Sequence, residues 1–592
     1  MNRRDFLRNS SAAAVFAALP FISTQSAVAV LDPLKSGTLP LSPSNDVELG
    51  GFFGQMYELG LKRLTQEPLN TDFVLADVNF NQKRWFTNFS GDISGRFLEI
   101  CSCSRGGHRA SGSALPQPEC LEEVIDRIVT HQKADGHFGA DVNWWANLDL
   151  LNDTDNAVMM PILWGNGRLL LGLTAAWDAF RKEATLTAAK KLGDFYVNIV
   201  VPRFCDPKRL EEYSVVSPGY ASAYVTCVYE GMEGLVQLYR ATKEKKYLDC
   251  AVRMGRFHEN FDVLPVRHSH GSLSEHEGLM MIYEETGDRY FLNRVEKRWE
   301  DAVSGGYVNV CGSVLEKFWV TDDRRDEGCS EADWLRLNLM LWRSTGKEKY
   351  LDMAERLLWN GYVANQWVSG GFGHRFLGID EKGPFSYQNY SQESLWCCSY
   401  HGPLGLYDFK RYLAVAINGK IQMNFLQDFK APLEIDGKKW LLSSKFSARN
   451  FIVKLDGPKG AAVPFTVRKP SWAKNLRVKF PCGKDADLSK PLAAGTTLHI
   501  QVEIETRLET RRLKKIENFE KGLSLSETAI FLGPKILVAK EGDGKKIEDL
   551  NMTLCDGKLI PPEDALTTFH TLYFNETERL RGHSFLFNLK IE

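Results

Sequence analysis

Gly234-Leu235-Val236-Gln237-Leu238-Tyr239-Arg240-Ala241-Thr242-Lys243, followed by Lys246-Tyr247-Leu248, sets a phrase that the chain repeats. It returns as Gly278-Leu279-Met280-Met281-Ile282-Tyr283-Glu284-Glu285-Thr286-Gly287 with Tyr290-Phe291-Leu292, and as Leu337-Asn338-Leu339-Met340-Leu341-Trp342-Arg343-Ser344-Thr345-Gly346 with Tyr350-Leu351. Each phrase reads as an apolar-periodic helix, a stop after Thr, and a second helix opened near a Tyr-Leu pair. A weaker copy lies at Gly172 to Ala184, and the spacing between copies varies from about forty to sixty residues, which excludes a solenoid of fixed period. Helical hairpins that cannot bury their apolar faces alone can close into a ring of inner and outer helices, so the expected fold is an (α/α) barrel.

After about Tyr412 the texture changes to short alternating segments. Leu498-His499-Ile500-Gln501-Val502-Glu503-Ile504-Glu505 is a period-two strand, and Phe465-Thr466-Val467-Arg468 and Leu476-Arg477-Val478-Lys479-Phe480 read likewise. The expected organisation is multidomain, α then β, with a barrel over 45–412 and a β-sandwich region over 413–592. Residues 1–29 read as a targeting segment, with twin arginines at Arg3-Arg4, an Ala-rich apolar stretch and small residues at Ala27-Val28-Ala29. That pattern looks like a twin-arginine export signal and predicts a periplasmic or secreted protein. Such export carries folded cargo, so a thiolate centre can be assembled before it meets an oxidising compartment.

Net charge is -2 with 25% charged residues, so there is no basic footprint for nucleic acid. No apolar run outside the signal is long enough for a membrane span. The 14 Trp are compatible with sugar stacking, and equally with a large core.

Glu327-Gly328-Cys329 and, about seventy residues on, Cys397-Cys398 together supply three thiolates and a carboxylate, a complete tetrahedral donor set for zinc, Zn2+. Ser330-Glu331-Ala332-Asp333 resembles a helix N-cap, which would leave Glu327 and Cys329 on irregular backbone just before the helix. Gly402-Pro403 downstream favours a loop for the cysteine pair. The competing readings are four buried side chains that share no metal and a purely structural zinc staple. Cys101-Ser102-Cys103 with His108 also has ligand-like spacing, but Arg105-Gly106-Gly107 around it reads as a loop.

These motifs resemble glycoside hydrolase family 127, in which a Glu-x-Cys motif and a later Cys-Cys pair bind zinc. Tyr283 to Asp288, Val467-Arg468-Lys469-Pro470-Ser471-Trp472-Ala473 and Gly533-Pro534-Lys535-Ile536-Leu537 support the likeness, which spans roughly residues 80 to 540. The resemblance implies an (α/α)6 barrel followed by β-sandwich domains, and zinc held by Glu327, Cys329, Cys397 and Cys398. It also implies a retaining mechanism in which Cys397 attacks the anomeric carbon while Glu316 protonates the leaving oxygen and then activates water. Read from the residues alone, a solvated charge beside Lys317 is the favoured reading of Glu316. His268 and, as its rival, His270 are the candidate substrate-binding residues, and either is equally a buried structural histidine.

The chain departs from the family pattern around Met160 to Gly167, lacks a histidine ahead of Glu230, and carries Ser399-Tyr400-His401-Gly402 after the cysteine pair. The expected activity is a zinc-dependent retaining exo-glycosidase that cleaves a furanosidic, β-L-arabinofuranoside-like linkage in plant or algal oligosaccharides. The alternatives are a glycosidase of the same fold acting on a branched or acidic deoxy sugar, a barrel lyase for uronates, and a non-catalytic carbohydrate-binding relic with structural zinc.

Overall fold

The computed structural model describes residues 47–104, 118–146, 154–215, 224–262, 268–316, 325–376, 392–447, 450–504, 506–512, 526–538 and a few short pieces between and after these. The proposed signal at 1–29 and His108 lie outside the described residues.

Among the described residues, thirteen longer helices carry the architecture: α1 Gly51–Arg63, α2 Thr71–Asn79, α3 Asp92–Ser104, α4 Pro118–Val129, α5 Thr154–Phe180, α6 Glu183–Phe195, α7 Gly231–Thr242, α8 Lys245–His258, α9 Ser269–Thr286, α10 Arg289–Ser304, α11 Gly328–Thr345, α12 Glu348–Leu357 and α13 Cys398–Lys410. Their packing order is cyclic. Helix α3 packs on α5, α5 on α7, α7 on α9, α9 on α11, α11 on α13, and α13 returns to α3. Helices α6, α8, α10 and α12 each lie outside the helix they follow. The difference shows in the sequences: α9 and α11 are buried nearly all round, whereas α8 buries one stripe, Tyr247, Leu248, Cys250, Ala251, Met254, Gly255, Phe257 and His258.

The three quoted phrases become three hairpins with one joint. Lys243, Gly287 and Gly346 all sit in the left-handed region, and each donates its backbone N–H four residues back, to Tyr239, Tyr283 and Trp342. The preceding Thr242, Thr286 and Thr345 hydroxyls donate to Leu238, Ile282 and Leu341 carbonyls and accept from the N–H two residues on. A Thr in this position therefore ends one helix and aims the next.

The strand-rich region starts at Ala414–Ile417. Its main sheet is antiparallel, in the order Glu48–Leu49, Phe429–Ile435, Lys438–Ser447, Asn450–Asp456, Thr496–Ile504, Ala473–Lys479. Glu48 and Leu49 thus belong to this sheet, although the sequence places them at the head of the helical region. Phe465–Val467 runs parallel to Lys420–Met423 in a separate three-stranded sheet.

The Val467 to Ala473 phrase ties the two regions together. Buried Arg468 donates to Asp352 (2.6 Å) and Glu355 (2.7 Å) of α12 and to the Asn424 carbonyl (2.8 Å).

Candidate metal and catalytic centre

The amino ends of α3, α9, α11 and α13 meet at one end of the helix cycle, and the candidate residues gather there. Glu327 closes the strand Arg325–Glu327 in extended backbone and serves as N-cap of α11, which puts Cys329 in the first turn of that helix. Expectation and structure differ here: the helix starts two residues before Ser330. Cys398 likewise opens α13, and Gly402 and Pro403 lie inside that helix, so the cysteine pair stands at a helix start and not in a loop. Both starts place the positive helix end beside the sulfurs, which favours thiolate.

Gly328 is required by the close approach of the two segments. A Cβ there would lie 2.8 Å from Asn365 Oδ1, 2.9 Å from Phe372 Cβ and 3.1 Å from Cys398 Cβ.

The four donors converge. One ligand atom from each of Glu327, Cys329, Cys397 and Cys398 lies within 4.8 Å of every other. The Cys329–Cys398 and Cys397–Cys398 sulfur separations are both 3.5 Å, and Cys397 Sγ is 3.9 Å from Glu327 Oε1. Sulfurs at about 2.3 Å from a tetrahedral zinc stand roughly 3.8 Å apart, so the set fits that ion.

Without a cation the same atoms conflict. Burial, then the Cys398 and Glu316 charges, push the Glu327 carboxyl well above the usual range, and burial with the neighbouring sulfurs does the same to Cys329. Cys397 is also raised: a hydrogen bond with Cys329 lowers it, but a hydrogen bond with Cys398 and burial together outweigh that. Cys398 alone is held well below the ordinary thiol value: burial opposes its ionisation, but bonds to Cys329 and Cys397 outweigh that cost. A divalent cation would remove the conflict by accepting all four donors at once.

Of the three sulfurs, Cys397 alone lines a cleft, together with Asp92, Arg96, Trp164, His268, Glu327, His374 and Trp396. Glu316 is buried at the back of this site. Its carboxylate lies 3.9 Å from His374 Nε2, and its carbonyl accepts the Ser269 N–H (2.8 Å) at the start of α9. His374 in turn meets the Ser394 hydroxyl through Nδ1 (2.7 Å), and its ring stacks on Trp396 at 6.3 Å. The outer face of Trp396 carries Trp85, 71% exposed, at 5.7 Å.

The two histidines part company. His268 packs on Trp164 and sits 3.6 Å from Glu327 Oε2, and burial pulls its pKa down to about 4, so it faces the cleft as a neutral ring. His270 has both ring nitrogens occupied: Nδ1 by Asp333, Nε2 by Arg96 Nη2 at 2.7 Å. Its ring borders the cleft, but neither nitrogen is available to a sugar.

His270, Asp333 and His401 also cluster closely enough to suggest a second metal site. Their partners decide otherwise. Arg96 and Arg168 can only donate, so His270 Nε2 and His401 Nδ1 (3.3 Å from Arg168 Nη2) must accept. The opposite ring nitrogens then carry protons and donate to the two oxygens of Asp333. The proton count fits a hydrogen-bond chain and leaves no imidazole lone pair for a cation. The Asp333 carboxyl is accordingly held well below its usual range: burial opposes ionisation, and the two imidazoles overcome it.

Arg96, His374 and Trp396 carry no signal in sequence that marks them for the site, and Asp333 was legible only as part of a helix start. His401 was legible there only as a departure from the expected residues after the cysteine pair. Cys101 and Cys103 lie at the far end of α3, where burial raises both thiols, that of Cys103 up to about 12.

Residues 111–404 match the model of the β-L-arabinofuranosidase GH127 catalytic domain. The chain belongs to glycoside hydrolase family 127. It is a glycoside hydrolase. Solved structures agree in fold. A GH127 β-arabinofuranosidase superposes with a TM-score of 0.63 at 18% identity, over 86% of this chain and 87% of its own. The GH127 β-L-arabinofuranosidase from Geobacillus stearothermophilus T6 gives 0.62 at 14% identity, over 86% and 89%. A third glycoside hydrolase gives 0.59 at 16%, over 90% of each chain. No curated protein sequence matches the chain.

Proposed function

We propose that this hydrolase is a zinc-dependent, retaining exo-glycosidase that uses Cys397 as nucleophile and Glu316 as general acid and base. The observation that carries the reading is that Cys397, alone among the three clustered sulfurs, faces the cleft. Cys397 Sγ attacks the anomeric carbon as Glu316 protonates the leaving oxygen, giving a thioglycosyl enzyme. Glu316 then takes a proton from water, which displaces the sulfur with net retention. A zinc ion on Glu327, Cys329, Cys397 and Cys398 would keep the sulfurs deprotonated at neutral pH and make Cys397 a better leaving group. His268, neutral and facing the cleft beside Glu327, is suited to accept a hydrogen bond from a sugar hydroxyl.

The family match supports a furanosidic, β-L-arabinofuranoside-like substrate. A second reading, an acidic sugar, is favoured by the Arg96 guanidinium in the cleft wall. We read the closed helix cycle as an (α/α)6 barrel over about 45–412 and the strand region as β-sandwich, with export through the twin-arginine route to the periplasm or beyond.

Cys397→Ser is expected to abolish turnover of an aryl β-L-arabinofuranoside, and mass spectrometry of the wild type with a slow furanoside to find one sugar on the peptide that contains Cys397. Full activity in Cys397→Ser refutes the nucleophile assignment. A panel of carboxylated glycosides separates the two substrate readings.

A further inference from the structure

We propose that Arg96 is a positioning residue for the sulfur cluster: held by Asp92 and by the His270–Asp333–His401 chain, it sets the electron density on Cys329 and, through a shared cation, on Cys397. This rests on the reading of the cluster as a metal-bound thiolate nucleophile.

Arg96 is fully buried and its guanidinium has three fixed acceptors: Asp92 Oδ1 at 2.7 Å, His270 Nε2 at 2.7 Å and Cys329 Sγ at 3.7 Å. The third is a sulfur of the cluster itself. Asp92 is braced in turn by the indole N–H of Trp164 at 3.1 Å.

The chain lies one helical turn beneath the sulfurs. Asp333 is four residues after Cys329 on α11, His401 three after Cys398 on α13, and Arg96 four after Asp92 on α3, spacings that stack each pair on one helix face. At the far end Arg168 is anchored by Glu230 (3.0 Å) and Glu233 (3.5 Å). With an obligate donor at either end, each imidazole has one allowed tautomer and Asp333 accepts from both. No member can rotate without leaving a buried donor or acceptor unpaired. Five inner helices, α3, α5, α9, α11 and α13, are thereby locked around the guanidinium that touches Cys329.

The chemical consequence follows from charge. Three thiolates and a carboxylate around a dication leave two negative charges in excess, and Arg96 supplies one positive charge against them. An N–H donated to a ligating thiolate draws electron density from that sulfur and alters what the cation asks of the others. A brace that only held helices together would leave the sulfurs unchanged.

The test uses the full-length protein with cobalt(II) in place of zinc, comparing wild type with Arg96→Met, Arg96→Lys and Asp333→Asn. The sulfur-to-cobalt charge-transfer band is expected to move to longer wavelength in Arg96→Met and Asp333→Asn, and by less in Arg96→Lys, which keeps the charge. Turnover is expected to fall about 10–100-fold in the first two, with partial rescue in Arg96→Lys. If Arg96→Met does not fold, Arg96→Lys and Asp333→Asn carry the same comparison. A band that stays in place in the variants overturns the proposal, even with activity lost, because Arg96 would then act on the sugar. A wild type with no sulfur-to-cobalt band overturns the metal reading itself, and this inference with it.

Discussion

Trp85 is 71% exposed yet stacks on Trp396, which lines the cleft beside Cys397, so an apolar face stands in water where the far side of a glycan would lie. Trp85→Ala is expected to raise KM for oligosaccharides several-fold and leave an aryl glycoside nearly unchanged, as steady-state kinetics on the two substrates would show. Equal effects on both would place Trp85 outside substrate binding. His276 on α9 is buried, with Nδ1 2.6 Å from the Ser272 carbonyl, and burial pulls its pKa from 6.5 down to about 4. The unfolded chain takes up that proton below pH 6.5, whereas the native protein does so only near pH 4. The stability that the neutral ring contributes is therefore complete above pH 6.5 and declines as pH falls toward 4. Denaturant unfolding of wild type and His276→Gln should show their difference shrinking over that window by up to about 3 kcal/mol. A constant difference would mean that His276 titrates normally in the fold.

At the scale of elements, the hairpin joints give a controlled comparison. Gly287 and Gly346 end α9 and α11 with φ of 68° and 69°, while Lys243 does the same for α7 at 60°. Lysine pays a steric cost there that glycine does not. Lys243→Gly is therefore expected to stabilise the protein and Gly346→Ala to destabilise it, each by about 1 kcal/mol. The site of Gly346 is open around the added methyl, so strain in the backbone is the whole effect. Thermal unfolding of the two variants checks both signs. The elements also show why the cysteines were misplaced in sequence: Gly and Pro at 402 and 403 signal a loop, and tertiary packing overrode them by carrying α13 through both residues.

For the whole molecule, Arg468 is the rivet between the strand-rich region and α12. Its removal would leave the Glu355 carboxylate buried without its partner. Arg468→Ala is expected to cost about 3–5 kcal/mol, and pairing an Arg468→Met change with Glu355→Gln to recover most of it, as measured by denaturant unfolding. No recovery in the double variant would show that Arg468 acts through packing alone. The cyclic helix packing brings the amino ends of four inner helices together, so residues from 92 to 401 meet within one site.

The sequence by itself determined the helical hairpins, the change to strands after Tyr412 and the Glu-x-Cys and Cys-Cys donor set, because apolar periodicity and ligand chemistry are local properties. It also pointed to Cys397, Glu316 and the rival pair His268 and His270 through resemblance. Only the tertiary structure decided that His270 is spent on Asp333 and Arg96, that His401 belongs to the same chain, and that Cys397 is the sulfur facing the cleft. A lone Arg, Asp or His gives no sign in sequence of what it faces. Its role is set by the partner across the helix cycle, and that partner is chosen by packing.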